Sequence, residues 1–456
     1  MIRLDYLREE GAAVAAIRLS DHFSYGHLLR FTLPSIVMMI LSSLYGVADG
    51  LLVSNLLGDV SLSAVNIVWP VLMLFCALGH MVSTGGSAVV ARTFGEGKDA
   101  LANRYFSMLV YCVLALGTVI SVAGVIWVEP IVRLAGASEE LLPDCVAYGR
   151  VLFGGTVMAM LEFTLHSFFI VAEQPKLGLA ISTVSGVINV ALDALFIGVL
   201  HWGVAGAAGA TVIGFCIGGI IPLLYFILPQ RSTLRLGKTR FYGRVLREVC
   251  ANGSSELVSS LSASFISILY NHQIMRLIGS RGVAAFSVMM YVDFMFASAI
   301  LGFAMGSAPI VSYHYGAKNH GELKNVFRKS LRLVLGADLA VTLLSEAISR
   351  PLTAAFVGYD AELLALTVHG FRLFALCYLC NGLNLYASSF FTALCDAPVS
   401  AFLSFMRTFL LRGGMVLLLP LLLGMDGIWL AVTVAELLAA VLSITFFRRK
   451  QPHYQY

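Results

Sequence analysis

FGEGKDALANRYF at 94–106 and YGAKNHGELKNVF at 315–327 are one stretch written twice, 221 residues apart (315 − 94 = 221). At the same offset glycine falls on glycine: Gly58 and Gly279, Gly85 and Gly306, Gly95 and Gly316, Gly149 and Gly370, Gly203 and Gly424, Gly206 and Gly427. With 42 glycines in 456 residues, chance would give roughly one or two such pairs, and similarity at a fixed offset marks a repeated unit. Each copy is too long and too apolar for a solenoid repeat. A duplicated half in a membrane protein points to a secondary transporter.

Composition supports the membrane reading. The chain is 59% hydrophobic and 12% charged, where a soluble domain carries roughly 45–50% apolar and about 25% charged residues. Apolar stretches long enough to cross a ~30 Å hydrocarbon core lie at 30–52, 62–91, 104–128, 143–172, 176–200 and 203–229. They continue at 248–271, 283–313, 326–348, 363–394, 398–422 and 427–447. Each half thus holds six helices. An even number returns the chain to its starting side, so the halves share one orientation. The expected fold class is an all-α polytopic membrane protein, with twelve transmembrane helices in two parallel-repeat six-helix lobes. The expected organisation is an N-terminal segment at 1–26, an N-lobe at 27–230, a basic linker at 231–247, a C-lobe at 248–447 and a tail at 448–456.

Most of the 30 Lys and Arg residues fall on the side of the termini, including Arg231, Arg235, Lys238, Arg240, Arg244 and Arg247 between the halves. The opposite side carries Arg133, Arg150, Arg276, Arg281 and Arg350. That asymmetry places both termini in the cytoplasm of a cell that exposes this protein in its plasma membrane. The net charge of +4 is this bias and not a nucleic-acid surface. Residues 1–26 show no apolar core or cleavage site of a signal peptide. Cys377-x-x-Cys380 lies mid-helix without a second pair, so its thiols read as packing groups. Asn252-Gly253-Ser254 is a sequon on the wrong side for glycosylation. No phosphate-binding P-loop is present, and an enzyme is not expected.

Ionisable groups inside a membrane are functional candidates by default. Asp49 lies about six residues from the outer end of helix 1, and Asp193 about seven from that of helix 5. Asn189 is one turn deeper on the same face, and Thr211 is about eight residues into helix 6. At 1.5 Å per residue, Asp49, Asp193 and Thr211 sit roughly 9–12 Å below the outer surface. Two carboxylates, an amide and a hydroxyl suit a hard cation such as Na⁺. They equally suit a shared proton. The plainer alternative is that the two acids cap outer helix ends and reach water. In the second half Glu256, Asp293, Arg372, Arg407, Arg412 and Glu436 are intramembrane, and the equal depth of Glu256 and Arg407 allows an ion pair.

The motifs LPSIVMMILSSLYGVADGLLVSNLLG (33–58), SLSAVNIVWPVLMLFCALGHMVSTGGSAVVARTFGEGKD (61–99), AEQPKLGLAISTVSGVINVALDALFI (172–197), GVAGAAGATVIG (203–214) and PIVSYHYGAKNHGELKN (309–325) resemble the MATE (multidrug and toxic compound extrusion) family in order and spacing. The resemblance runs from about 27 to 447 and is closer to the DinF-like than to the NorM-like branch. It implies two lobes in a V around a central cavity, and export driven by H⁺ or Na⁺. It implies that Asp49, Asn189, Asp193 and Thr211 form the coupling site, as metal ligands only if Na⁺ is the ion. It also implies that Tyr45 and Tyr148 line that site and that Pro34 is a hinge. The sequence departs from the family pattern in two places. Leu261-Ser262-Ala263-Ser264 in helix 7 holds no acid and helix 10 offers Asn381 and Asn384 but no Asp, so the C-lobe coupling site of the NorM-like branch is not expected here. His166 stands where the DinF-like branch has an amide, and reads as a proton-responsive group or a satisfied core histidine.

The expected activity is antiport of organic cations or amphiphilic drugs out of the cell by alternating access, by a monomer that needs no cofactor. H⁺ is favoured over Na⁺ because the site offers few neutral oxygens. The alternative is a flippase for lipid-linked saccharides, which a basic cavity would favour.

Overall fold

The computed structural model describes residues 17–57, 59–228, 232–358 and 360–456. Positions 1–16 of the expected N-terminal segment, Gly58, and 229–231 at the expected lobe boundary lie outside the described residues.

Every expected crossing is helical. The first half holds α1 (Tyr25–Leu57), α2 (Asp59–Gly95), α3 (Asp99–Ile126) and a short α4 (Val128–Leu134). A crossing in two pieces follows, α5 (Leu142–Gly154) and α6 (Thr156–Val171). Then come α7 (Pro175–Asp193), prolonged by a π-turn segment (Ala194–Val199), and α8 (Gly203–Ile227). The second half holds α9 (Gly243–Leu277), α10 (Ser280–Gly316) and α11 (His320–Val357), then the two-piece α12 (Ala361–Ala375) and α13 (Tyr378–Ala393). It ends with α14 (Ala397–Phe405), a π-turn segment (Met406–Leu411), α15 (Arg412–Leu423) and α16 (Met425–Tyr454).

Among the described residues, eight helices are long and apolar enough to cross a bilayer, or up to ten spans when each bent pair counts as one. The two other expected crossings, α9 and α11, have the length, 35 and 38 residues, but are too rich in polar or charged residues to count. α9 packs on α2 and α14 and α11 on α12 and α13, and both also turn exposed apolar side chains such as Ile268 and Leu343 outward. Two boundaries also move. α9 begins at Gly243, inside the expected linker. α16 runs on to Tyr454 through the expected tail, because Lys450 Nζ and the Tyr454 hydroxyl both donate to Asp396 Oδ2 at 2.8 and 2.9 Å.

Large apolar side chains such as Val119, Ile126, Ile268, Leu421 and Leu422 are exposed, a surface suited to lipid. Inside, the first half builds one apolar core around Phe106, Phe153 and Phe168. The second builds its own around Phe390, Phe391 and Phe447 and around Phe371 and Trp429. The repeat therefore folds as two lobes.

The glycine pairs explain how the lobes meet. A Cβ on Gly95 would collide with the carbonyl oxygen of Tyr313, and one on Gly316 with that of Arg92. These two contacts are each other's image at the offset of 221 (92 + 221 = 313). Likewise Gly85 lies against Val249 and Gly253, and its image Gly306 lies against Thr32 (253 − 221 = 32). The lobes are thus sealed, backbone on backbone, around a pseudo-twofold axis near the end that carries the termini. Gly203 and Gly424 serve a different need: both open a crossing with positive φ, +61° and +58°, which only glycine adopts without cost. The bends repeat too. α5–α6 turns by 49° after Gly154 and α12–α13 by 47° after Ala375, again 221 apart.

A Cβ on Gly253 would strike the Met81 carbonyl oxygen, a backbone atom that cannot move aside. Gly253→Ala is therefore expected to pry the lobes apart at this end. Spin labels on the exposed Lys98 and Lys318 positions should report a longer distance in the variant; an unchanged distribution would contradict the role of these glycines.

The segment before α1 straps both lobes at the same end. The Leu19 N–H donates to Glu173 of the N-lobe at 2.7 Å. The Phe23 N–H donates to Glu322 at 2.8 Å, and Lys329 and Asn325 donate to the Phe23 carbonyl at 2.7 and 3.0 Å. His22 Nδ1 lies 2.6 Å from Glu322 Oε2. Burial raises the Glu322 carboxyl, but the hydrogen bonds from Phe23, Asn325 and His22 outweigh this and hold it below its ordinary value. A depressed carboxylate contributes stability above its unfolded pKa and loses it as pH falls through the folded one. Glu322→Gln should thus lower the thermal midpoint at neutral pH, with the gap to wild type closing below about pH 4. A gap that stays constant with pH would contradict this reading of the strap.

Candidate functional site

The bundle brings the N-lobe candidates together. α1 packs on α7, α7 on α8, and α5 on α8. Asp49 of α1 and Asp193, the last residue of α7, face each other at interaction range, and Tyr148 of α5 lies within electrostatic reach of both. Asp193 and Tyr148 are fully buried, Thr211 is nearly so, and Asp49 and Asn189 are half-buried. Asn189 stands one turn from Asp193, with its Cβ against Gly214, one turn from Thr211 on α8. The Thr211 hydroxyl donates to the Ala207 carbonyl at 3.1 Å and keeps lone pairs to accept with. Tyr45 lies across Gly186 of α7, where no Cβ would fit beneath its ring.

Asp49 Oδ1, both carboxyl oxygens of Asp193 and Asn189 Nδ2 are buried, and among the described residues they have no hydrogen-bond partner. Native structures rarely leave buried polar atoms in this state, and each one calls for a ligand, an ion or a proton. Asp193 therefore does not reach water as a helix cap. Two facing carboxyls would be mutually repulsive if both were charged, and are satisfied by one shared proton. The same oxygens, with Thr211 Oγ1 and the Asn189 amide turned over, also offer a hard-cation donor set. The residues present fit either ion.

Pro34 is buried in an unbroken α1. It is flanked by Thr32 on one side and Ser35 and Ile36 on the other, which meet Gly306 and Gly302 of α10. It sits at the lobe interface, about ten residues from the nearest wall of the acid pair at Tyr45.

Between the lobes lies a cavity of about 280 Å³. Thr84, Ser87 and Ser167 line it from the N-lobe; Glu256, Asp293, Asn381, Asn384, Arg407 and Arg412 line it from the C-lobe. The expected Glu256–Arg407 pair does not form. Arg407 instead grips Glu436, at 3.0 Å to each carboxyl oxygen, and Asn381; Arg412 reaches Glu436 at 2.6 Å. Asn384 adds a bond to Glu436 at 2.8 Å. Equal depth did not decide the partner because rotation about the helix axis sets which face a side chain takes. Glu256 and Asp293 stand on the cavity wall beside Arg407 and Arg412, which are tied to Glu436, so the wall is mixed in charge and not the basic one that a saccharide-lipid flippase would favour.

Two buried acids escaped the sequence reading. Asp338 of α11 accepts the N–H groups of Gly382 and Leu383, in the second turn of α13, at 3.1 and 3.0 Å. Glu162 of α6 lies one turn from His166, at 4.0 Å. The rule that selected Asp49, a lone acid in an apolar run, applies to both.

The MatE family profile matches residues 34–195 and 257–415, more than half of the chain. Multidrug export protein MepA of Staphylococcus haemolyticus is 23% identical over 323 residues, 70% of this chain and 71% of that protein. A crystal structure of MATE in complex with MaL6 superposes with a TM-score of 0.90 at 21% identity, over 96% of this chain and 98% of that one. The outward-facing conformation of a multidrug resistance MATE family transporter of the MOP superfamily gives a TM-score of 0.89 at 21% identity, over 94% and 96%. With a repeated six-helix lobe, a cavity between the copies and a profile match that spans both halves, the chain belongs to the MATE family of membrane transporters.

Proposed function

We propose that this transporter is a multidrug exporter that works as an antiporter: organic cations or amphiphilic compounds leave the cell as H⁺, or else Na⁺, enters. The observation that carries the coupling is the facing pair Asp49–Asp193, with carboxyl oxygens buried and unpartnered. The names of the MepA relatives support the substrate class, and Glu256 and Asp293 on the cavity wall suit a cationic guest. Asp49, Asn189, Asp193 and Thr211 hold the coupling ion, Tyr45 and Tyr148 wall it in, and Pro34 is the hinge. H⁺ is preferred, since two facing acids need only one proton to be satisfied. Ion binding must favour one conformation, because a ligand bound equally by both shifts nothing. In the proposed cycle the ion loads when the cavity faces outward and so drives substrate release. The protein acts as a monomer in a bacterial plasma membrane.

The test is uptake of a fluorescent organic cation into inverted membrane vesicles, with a proton gradient and a sodium gradient imposed separately. Uptake with the proton gradient alone is expected. Uptake that persists without it and stops on removal of Na⁺ would reverse the choice of ion, and uptake with neither would overturn antiport.

Both termini are proposed to be cytoplasmic, from the Lys and Arg bias. In a cysteine-free background, a cysteine at 138 should react with an impermeant thiol reagent in intact cells and one at 238 should not. Labelling of 238 would invert the orientation.

A further inference from the structure

Three ionisable side chains that the proposed coupling site does not use are gathered in the middle of the N-lobe. Glu162 and His166 stand one turn apart on α6, Oε1 to Nε2 at 4.0 Å, and each residue is 8% exposed. His80 enters from α2, its ring stacked on Phe163 with centroids 4.3 Å apart, within electrostatic reach of His166. The Glu162 carboxyl is pressed on Gly218 of α8, where any Cβ would collide with it. Cys76 of α2 and Cys216 of α8 are the other titratable groups that face it. Among the described residues, the remaining helices packed on α6 bring no charged group within reach of the pair.

Glu162 Oε2 and His166 Nε2 have no hydrogen-bond partner among the described residues. A bare charge at such burial is far costlier than a neutral acid beside a neutral imidazole. The cluster lies behind the wall of the central cavity, which its helix neighbours line. Ser167, next to His166, and Thr84, one turn from His80, line that cavity. The Thr84 hydroxyl donates to the His80 carbonyl at 3.0 Å, and the Ser83 and Ser167 hydroxyls are 2.6 Å apart.

We propose that Glu162 and His166, with His80 beside them, form a second proton-binding site in the N-lobe, distinct from Asp49–Asp193 and served from the central cavity. Gly218 follows Thr211 by seven residues on α8 (218 − 211 = 7), so the two sites are stacked about 10 Å apart along one helix. The site holds one proton in either of two places. On the Glu162 carboxyl, both partners are neutral. On His166 Nε2, the carboxyl O–H bond has broken, an N–H bond has formed, and a carboxylate faces an imidazolium. From His166 the proton leaves to water in the cavity past the Ser167 and Thr84 hydroxyls. The part this site plays in export rests on the ion-coupled reading above, whereas its existence does not.

The experiment is infrared difference spectroscopy of the full-length protein in lipid, between about pH 5 and about pH 8. In an Asp49→Asn, Asp193→Asn background a titrating carboxylic-acid carbonyl band should remain. Adding Glu162→Gln should remove part of it, because an amide cannot titrate, while the share of other buried acids such as Asp338 stays. A spectrum unchanged by Glu162→Gln overturns the site. His166→Gln keeps the carboxyl and carries the test if the Glu162 variant does not fold. It should move the midpoint of the band by about one pH unit, and an unmoved midpoint overturns the pairing. Export that survives intact in the Asp49, Asp193 double variant would sink the coupling reading while the Glu162 band still stands.

Discussion

Asp49→Asn is expected to insert and fold normally but no longer to accumulate substrate against a gradient. The amide keeps the shape of the carboxyl facing Asp193, yet it can neither release a proton nor balance a bound cation. One charge crossing 100 mV supplies ~2.3 kcal/mol, and each ~1.4 kcal/mol is tenfold in concentration. Wild type moving a neutral substrate against one charge can therefore sustain roughly fortyfold accumulation, which should fall to about one in the variant. A singly charged substrate exchanged for one H⁺ draws on the pH difference alone, and there too the ratio should collapse. Asp193→Asn should act nearly as strongly. Thr211→Ala should act less, since its hydroxyl already donates to Ala207, and Asn189→Ala should weaken ion binding more than substrate binding if the ion is Na⁺. Uptake into vesicles, beside size-exclusion profiles that show intact protein, checks the series. Wild-type accumulation by Asp49→Asn would remove the N-lobe pair from the mechanism.

The second large effect falls on stability. Glu436 is wholly buried and holds Arg407 and Arg412 together. Glu436→Gln leaves two guanidinium groups without the carboxylate that bonds both of them, and only more distant acids such as Asp293 within electrostatic reach. Removing one partner of a buried ion pair typically costs about 3–5 kcal/mol, so the variant should melt far below wild type in detergent. Combining it with Arg407→Met and Arg412→Met should recover much of the loss, because an apolar replacement of the whole cluster leaves no orphaned charge. A single variant that melts with wild type would mean that Glu436 does not hold the lobe together.

The sequence carried the bundle well and the wiring poorly. Apolar runs located each helix because a bilayer crossing needs a fixed length of apolar chain. The glycine pairs foretold a repeat, and two of them turned out to be the points where the lobes touch. Asp49, Asp193 and Thr211 could be brought together because they share a depth and their helices are neighbours, whereas Tyr148 was set beside them by the family resemblance alone. The same reasoning failed for Glu256 and Arg407, which share a depth on helices whose facing sides differ. The bends after Gly154 and Ala375 were also hidden, since a bent crossing has the same composition as a straight one. Glu162 was legible as a lone acid in MAMLEFTLHSFF (158–169) with His166 one turn on, but its neighbours His80 of α2 and Gly218 of α8 are placed only by the fold.

Whether the Asp49–Asp193 pair binds the ion that export consumes is best decided by running the cycle backwards. Purified protein is reconstituted in liposomes containing a pH-sensitive dye, with no ion gradient, and an organic cation is added outside. The cation should drive proton movement in the opposite direction, at a rate that rises with cation concentration, and this flux should vanish in Asp49→Asn and Asp193→Asn. Cation entry with no proton flux, or a proton flux that both variants retain, would show that the pair is not where coupling occurs.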